Sequence, residues 1–164
     1  MTADSVRTHL AAHGLADGIR VFAESSATVE LAAAQVGTEP ARIAKTLAFV
    51  HPADPERAIL IVAAGDAKVS GGEFKRRFAG KGSMVPADRL EDLTGHPMGG
   101  VCPFANPPSA EVWLDESLRR FDVVYPAAGS HDSAVPIPVD RLEQVSGACG
   151  WVDVCSSWRD DAAV

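Results

Sequence analysis

The sequence contains few cysteines, and they follow no paired spacing. Cys102, Cys149 and Cys155 are an odd number with no C-x-x-C pair, so a disulfide framework is not expected. There is no H-E-x-x-H motif and the five histidines are scattered, which argues against a zinc site. We therefore expect the cysteines to behave as small apolar residues, and we expect neither a metal nor a cofactor.

The chain also lacks a long apolar run and an excess of basic charge. No apolar stretch approaches the length that crosses a bilayer, and the N-terminus has no basic-then-apolar signal pattern. We expect no membrane association and, by default, a cytoplasmic location. The net charge of −7 argues against a protein that coats nucleic acid by electrostatics alone.

Three common catalytic motifs are missing as well. The sequence has no G-x-S-x-G elbow, no G-x-x-x-x-G-K-[ST] phosphate loop and no G-x-G-x-x-G dinucleotide loop. Serine hydrolysis, nucleotide hydrolysis and dinucleotide redox chemistry are therefore poorly supported.

What is present is an ordinary globular composition with interleaved helix and strand patterns. The chain has 164 residues, 46% of them hydrophobic, and no repeat or linker divides it, so we expect one domain over 1–164. Several predicted strand pairs have links too short for parallel crossovers. The expected fold class is α/β of the α+β type, a mixed curved sheet flanked by helices. The predicted strands cover 19–23, a run from Lys45, 58–64, 111–115, 121–127, 133–138 and 151–155. The predicted helices cover 2–13, the segments after Ser26 or Thr28 and after Ser70, 86–95, and the segment after Pro138.

Lys45 opens one of these strands and shares its face with Leu47 and Phe49, because strand side chains alternate between faces. A lysine here can extend its ammonium into water along an apolar stem. It can equally line a pocket and hold a negative or electron-rich group. The segment alone leaves both interpretations open.

Two glycine-marked loops are candidate binding elements. The first, 95–107, contains Gly99-Gly100, and the second, 127–133, contains Gly129, Ser130 and His131 after a strand. Glycines allow a ligand to approach backbone N–H groups closely, although a tight turn is the simpler explanation for each loop. His131 has a side chain suited to general-base chemistry, and Ser130, Ser25 or Ser26 could pair with it as a nucleophile.

Taken in order, three segments resemble a known family. They are "ESSATVELAAAQVGTEPARIAKTLAFV", "SMVPADRLEDLTGHPMGGVCPF" and "VWLDESLRRFDVVYPAAGSHDSAVPIPVDRL". The set is similar to the YbaK/EbsC/ProX family of aminoacyl-tRNA deacylases, which are related to the editing insertion of bacterial prolyl-tRNA synthetases. The resemblance covers roughly residues 20 to 147.

The resemblance implies a trans-acting hydrolase for the ester that joins a wrong amino acid to tRNA, a function in translation fidelity. The substrate would be a small amino acid such as Cys or Ala on tRNA(Pro). Lys45 would be the signature lysine, and the Gly99-Gly100 N–H groups would stabilise the oxyanion. The substrate's own 2′-hydroxyl or amino-acid group would assist. His131 would tune the substrate rather than catalyse, and the alternative for it is a solvent-facing loop histidine. The substrate-binding candidates are Ser26, Thr46, Phe49, Met84, Val101, Phe104, Gly129, Ser130 and His131, with Phe22 as a further wall.

A basic segment is the candidate tRNA contact on this acidic chain. Its cations are Lys68, Lys75, Arg76, Arg77 and Lys81. Weak, salt-sensitive tRNA binding would follow, and a synthetase partner could supply the remaining recognition. The alternatives are a solvated helix face and, for the whole protein, a non-catalytic binder of tRNA or an aminoacyl ligand, or a synthetase partner of the same fold.

Overall fold

The computed structural model describes residues 2–158 of the chain. The helices are α1 (Thr2–Ala11), α2 (Val29–Val36), α3 (Gly71–Phe78), α4 (Leu90–Thr94) and α5 (Val139–Ser146). The strands are β1 (Arg20–Val21), β2 (Ile43–His51), β3 (Asp54–Ala64), β4 (Lys68–Val69), β5 (Glu111–Asp115), β6 (Val123–Pro126), β7 (Ser133–Ala134), β8 (Ile137–Pro138), β9 (Gly150–Val152) and β10 (Cys155–Ser156). Four 3₁₀ segments cover Ala16–Gly18, Pro40–Arg42, Ala87–Arg89 and Glu116–Arg120.

The central sheet has six strands in the order β8-β6-β2-β3-β5-β9. β2 and β3 are antiparallel, as their short connection predicts, whereas β2–β6, β3–β5 and β5–β9 are parallel. The strands β1–β7 and β4–β10 form two further antiparallel pairs. The expected fold class, a mixed curved sheet with flanking helices, is confirmed. The predicted domain bounds 1–164 include Met1 and 159–164, which lie outside the described residues.

β3 is the middle of the core, since its residues 58–64 are fully buried on both faces of the sheet. One face joins the main cluster, which includes Leu60, Val62 and the helical residues Leu10 and Leu142. The other face carries Ile59 and Ile61 and packs on α3. A continuous apolar strand of this kind can lie only between two covered faces.

Local capping fixes the helices where the sequence predicts them. The Thr28 hydroxyl accepts a hydrogen bond from the Leu31 N–H at the start of α2, and the Ser70 hydroxyl accepts from the Glu73 N–H at the start of α3. Gly37 ends α2 in the left-handed conformation. Thr28, rather than Ser26, is therefore the cap of α2.

Two predicted strands are each divided in two. The predicted strand 151–155 becomes β9, which pairs with β5, and β10, which pairs with β4. Residues 133–138 form β7, which pairs with β1, and β8, which pairs with β6. Pro136 lies between them and has no N–H to donate, so a single strand cannot run through it. None of the helices described between residues 2 and 158 is long and apolar enough to cross a membrane.

Candidate functional site

A gap in the sheet beside β2 creates a cavity. β6 pairs with β2 only at Ile43 and Ala44, and the next partner along that edge is Met84, which bridges to Phe49. The cavity between them has a volume of about 420 Å³. It is lined by Ser26, Ala27, Thr28, Val29, Ala32, Ile43, Ala44, Lys45, Thr46, Leu47, Ala48, Met84, Val85, Ala87, Leu90, Met98, Gly99, Val101, Tyr125, Ala127, Ser133 and Ala134.

The backbone of Thr46 faces this gap. The Ala48 carbonyl accepts from the Val85 N–H, and the Val50 N–H donates to Ser83, so both residues direct their backbone groups away from β3. Backbone groups of alternate strand residues point to the same side, hence the N–H and C=O of Thr46 point away from β3 as well. Its hydroxyl Oγ1 is buried with no hydrogen-bond partner within residues 2–158. Thr46 therefore presents polar atoms that a ligand can satisfy.

Lys45 stands at the wall of the cavity with its ammonium held by backbone. Its Nζ donates to the carbonyl oxygens of Ala67 and, at 3.4 Å, of Gly65. Burial lowers the pKa of Lys45, and the carboxylates of Asp66 and Glu30 oppose that shift. An ammonium has three N–H donors, one more than these two carbonyl acceptors use.

The two glycine-marked loops meet beside the cavity. Gly99 has a left-handed φ of +85°, and a Cβ on it would lie 2.9 Å from the Cβ of His131. A Cβ on Gly100 would lie 2.9 Å from the Gly129 carbonyl group. Two backbones approach this closely only where side chains are missing.

The two glycines do not have equal freedom to bind a ligand. The Gly100 N–H already donates to the Pro97 carbonyl at 3.0 Å. Gly99 lines the cavity, whereas Gly100 is buried behind it. The Gly100 N–H is therefore engaged within its own turn, and Gly100 holds the loops together, whereas Gly99 is the predicted oxyanion donor that borders the cavity.

The serine–histidine pairing considered from the sequence is not formed. The Ser26 hydroxyl donates to the backbone carbonyl of His131 at 3.2 Å, not to its imidazole. The Ser130 hydroxyl donates to Asp132 at 2.8 Å. The His131 residue is exposed outside the cavity wall, beside Gly99. The Ser25 hydroxyl also donates to the His131 carbonyl, at 3.4 Å, so none of these serines is activated as a nucleophile by the imidazole.

Three predicted aromatic walls belong to other parts of the protein. Phe104 is fully buried in the main core, and Phe49 packs against α3 with its ring centroid 4.7 Å from that of Phe74. Phe22 is absent from the cavity lining. Large apolar residues fill the core by preference, so an aromatic side chain alone does not indicate a pocket. Of the predicted apolar walls, Met84 and Val101 line the cavity.

Small residues form much of the wall, and sequence reasoning missed them. The cavity surface includes the alanines Ala27, Ala32, Ala44, Ala48, Ala87, Ala127 and Ala134. An alanine carries no chemical signal, so only the gap in the sheet reveals this role. Tyr125, Met98 and Ser133 were missed as well, and only Met98 had a sequence signal, its position next to Gly99.

A buried histidine and cysteine lie within the first glycine loop. The ring of His96 is fully buried, and its Nε2 lies 2.7 Å from the Phe104 carbonyl oxygen. Burial lowers the pKa of His96, so the ring is neutral. Burial raises the pKa of the Cys102 thiol to about 12, so this sulfur is a protonated, inert thiol at neutral pH. Between residues 2 and 158, no three His, Cys, Asp or Glu side chains are grouped closely enough to hold a metal ion.

The predicted basic residues lie on and around α3, all exposed. Lys75, Arg76 and Arg77 occupy its last turn, with Lys68 before the helix and Lys81 after it. Arg76 pairs with Glu73 at 2.8 Å, and the Arg77 guanidinium lies 4.6 Å from the Trp113 ring centroid. Both arginines thus contact other side chains of the protein, and Lys68, Lys75 and Lys81 are the predicted cations that remain most available to a ligand.

Comparison with known proteins adds four findings. A family described as "Aminoacyl-tRNA editing domain" matches residues 23–145. "Uncharacterized protein YwhH" of Bacillus subtilis (strain 168) is 42% identical over 159 residues, which span 97% of this chain and 100% of that protein. The crystal structure of a "putative trans-editing enzyme for prolyl tRNA synthetase" superposes with a TM-score of 0.83 at 26% identity, covering 94% of this chain and 97% of the other. Hypothetical protein APE2540 superposes with a TM-score of 0.75 at 27% identity, covering 84% and 90% respectively.

Proposed function

Since the chain belongs to the aminoacyl-tRNA editing domain family, we propose that it hydrolyses the ester bond of mischarged aminoacyl-tRNA in the cavity beside β2. The observation that supports this most is Lys45, a half-buried ammonium on the wall of a mostly apolar cavity. A charge in such a place is stabilised when a ligand brings an electron-rich oxygen to it.

The chemistry requires little from side chains because an aminoacyl ester is already activated. A water oxygen attacks the ester carbonyl carbon, the carbonyl electrons move to oxygen, and collapse of this intermediate releases the amino acid and the ribose 3′ oxygen. In this scheme Lys45 and the Gly99 amide, which both line the cavity, stabilise the negative oxygen. The ribose oxygen leaves with the proton that the attacking water gives up.

The substrate supplies the proton acceptor in this scheme. Among the cavity-lining residues, all within the described part of the chain, none carries an imidazole or a carboxylate. The 2′-hydroxyl of the terminal ribose or the amino group of the aminoacyl moiety is then the nearest group that can relay a proton. Positioning and oxyanion stabilisation are the protein's share of the catalysis.

We further propose that the amino acid is small, such as Cys or Ala, and that it is carried on tRNA(Pro). The similarity to a protein described as a trans-editing enzyme for prolyl tRNA synthetase supports the tRNA. The cavity of about 420 Å³ also has room for the terminal ribose. A one-methylene difference is worth about 1–3 kcal/mol in a binding pocket, so synthetases leave small-residue errors to a second site.

In this proposal Lys68, Lys75 and Lys81 bind the tRNA body. With a net charge of −7, the intrinsic affinity would be weak and salt-dependent. A synthetase bound to the same tRNA would supply the additional affinity and recognition of the tRNA body.

The test is release of amino acid from a panel of tRNAs charged with Cys, Ala, Ser or Thr, on tRNA(Pro) and on cognate tRNA. We expect one or a few of these to be deacylated, and Lys45→Ala to abolish the release. Arg7→Ala is the control, because it removes one positive charge from an exposed position in α1, outside both the cavity lining and the basic segment. Binding of charged tRNA without release would refute the enzyme and favour a binding module.

A further inference from the structure

The position of Lys45 depends on a short turn that no cavity residue contributes to. The carbonyl oxygens that accept from its Nζ belong to Gly65 and Ala67, which flank Asp66 between β3 and β4. Gly65 is fixed by packing, since a Cβ there would lie 2.0 Å from the Pro40 carbonyl oxygen. Asp66 has no such packing, and its side chain is 37% exposed.

Arg120 holds Asp66 through a two-point contact. Nη2 lies 2.6 Å from Oδ1 and Nη1 lies 3.0 Å from Oδ2, the parallel fork that arginine forms with a carboxylate. Such a fork fixes direction as well as distance, which a single lysine contact cannot do. The orientation of the 65–67 turn is therefore tied to Arg120.

Arg120 is itself fixed from three directions. Its Nε donates to the Ser117 carbonyl at 2.9 Å, and the Ser117 hydroxyl accepts from the Ala64 N–H at the end of β3. Its guanidinium carbon lies 4.9 Å from the Phe121 ring centroid and 5.0 Å from that of Trp158. The guanidinium thus connects the end of β3, the 3₁₀ segment Glu116–Arg120 and the last described residue of the chain.

We infer that the Asp66–Arg120 ion pair is a positioning element for Lys45, which keeps the two carbonyl acceptors in place from outside the cavity. The inference rests on the proposed role of Lys45 in deacylation. An ordinary exposed ion pair contributes little to stability, so a purely structural role predicts a near-silent substitution. A positioning role predicts that the Lys45 ammonium loses its protection from exchange with water and that turnover falls.

The chain offers a matched control in the neighbouring residue. Arg119 also pairs with a carboxylate, Glu116 at 2.9 Å, and lies 3.8 Å from the ring centroid of Trp151. It makes the same kinds of contact as Arg120 but touches neither Asp66 nor the turn. Arg119→Ala therefore reports the effect of losing a surface arginine alone.

The first readout is the ¹⁵N signal of the Lys45 ammonium, which needs no tRNA. The chain has four lysines, Lys45, Lys68, Lys75 and Lys81, so the signal is assigned by its loss in Lys45→Arg. Ammonium protons held by carbonyls exchange with water more slowly than those of exposed lysines. We expect this protection in the wild type and in Arg119→Ala, and its loss in Arg120→Ala and in the isosteric Asp66→Asn.

The second readout is deacylation by the same variants. A displacement of about 1 Å at a reacting group costs up to about 100-fold in rate, so we expect kcat/KM to fall between about tenfold and about 100-fold in Asp66→Asn and Arg120→Ala. The double variant should lose no more than the worse single one, because both act through one contact.

The outcomes separate this inference from the proposed function. Protection of the ammonium that persists in both variants, with turnover like that of Arg119→Ala, overturns the positioning role. Loss of protection in a protein that deacylates no tRNA supports the positioning of Lys45 and refutes the deacylase. If Arg120→Ala does not fold, Asp66→Asn decides alone, since it keeps the shape of the side chain and removes the negative charge and one of the two oxygen acceptors of the fork.

Discussion

Gly100→Ala tests the meeting of the two glycine loops in the most direct way. The new Cβ would lie 2.9 Å from both the carbon and the oxygen of the Gly129 carbonyl and 3.0 Å from the Ser130 Cα. Ordinary contacts begin near 3.4 Å, so the loops must separate by about 0.5 Å. The obstructing atoms are backbone, which cannot rotate away as a side chain would.

The expected cost follows from what overpacking does in buried regions. Forcing a methyl group into such a space costs about 1–3 kcal/mol. For a chain of this size, each kcal/mol lowers the melting temperature by about 2–4 °C, so we expect a decrease of about 2–12 °C. Because Gly99 lies on the cavity wall next to the displaced residue, deacylation should fall as well.

The assay is thermal unfolding followed by circular dichroism, with deacylation measured on the same preparations. Gly72→Ala in α3 is the matched control, since a Cβ there meets only the Ser70 hydroxyl at 4.0 Å. A helix that carries glycine is less stable than one that carries alanine by about 0.5–1 kcal/mol, so the melting temperature of this variant should exceed that of the wild type. Equal melting of Gly100→Ala and wild type, with full activity, would show that the loops are not in contact.

Three further predictions concern the cavity, the loop behind it and the basic segment. Thr46→Val removes a buried hydroxyl that has no hydrogen-bond partner among the described residues, so the free energy of unfolding, measured with denaturant, should rise by about 1 kcal/mol. If the substrate uses that oxygen, kcat/KM should fall about fivefold in the deacylation assay. Burial lowers the pKa of His96 in the folded protein, so the unfolded chain binds a proton more readily below the unfolded-state pKa of about 6.5. The wild type therefore loses stability as the pH falls below that value. Between about pH 7.5 and about pH 5.5 the melting temperature of His96→Gln should fall by less than that of the wild type. Charge reversal at Lys75 and Lys81 should raise KM for tRNA at low salt, with the difference shrinking at high salt, and an unchanged KM would remove the basic segment from tRNA binding.

The local parts of the fold could be predicted from the sequence because their signals are local. The turn between β2 and β3, the Ser70 cap and the strand Glu111–Asp115 depend on neighbours along the chain, and all three are found as predicted. The parity of Lys45 is also confirmed, since Leu47 and Phe49 pack on the same face of the sheet. Alternation along a strand is a property of the backbone and does not depend on distant residues.

The division of 133–138 into β7 and β8 depends on distant partners, and the sequence pattern did not reveal it. β7 pairs with β1, more than a hundred residues earlier, while β8 pairs with β6. Pro136 signalled an edge or a bulge but not a change of partner. The same limit applies to Phe49 and Phe104, whose hydrophobicity is equally suited to a cavity wall and to a core.

The site depends on the backbone more than on side-chain chemistry. This explains why the sequence predicted Lys45 but not the cavity around it. The cavity exists because β6 leaves the edge of β2 after two residue pairs and the chain returns to that edge only at Met84. Backbone carbonyls hold Lys45, and the edge of Thr46 is open to the cavity. Unpaired backbone groups beside a strand are costly when buried, so an aminoacyl group with its own carbonyl and amine is a suitable partner for that edge. A ligand of that kind would complete the strand pairing that the sheet interrupts, and under the proposed function its ester carbon would lie beside the Lys45 ammonium.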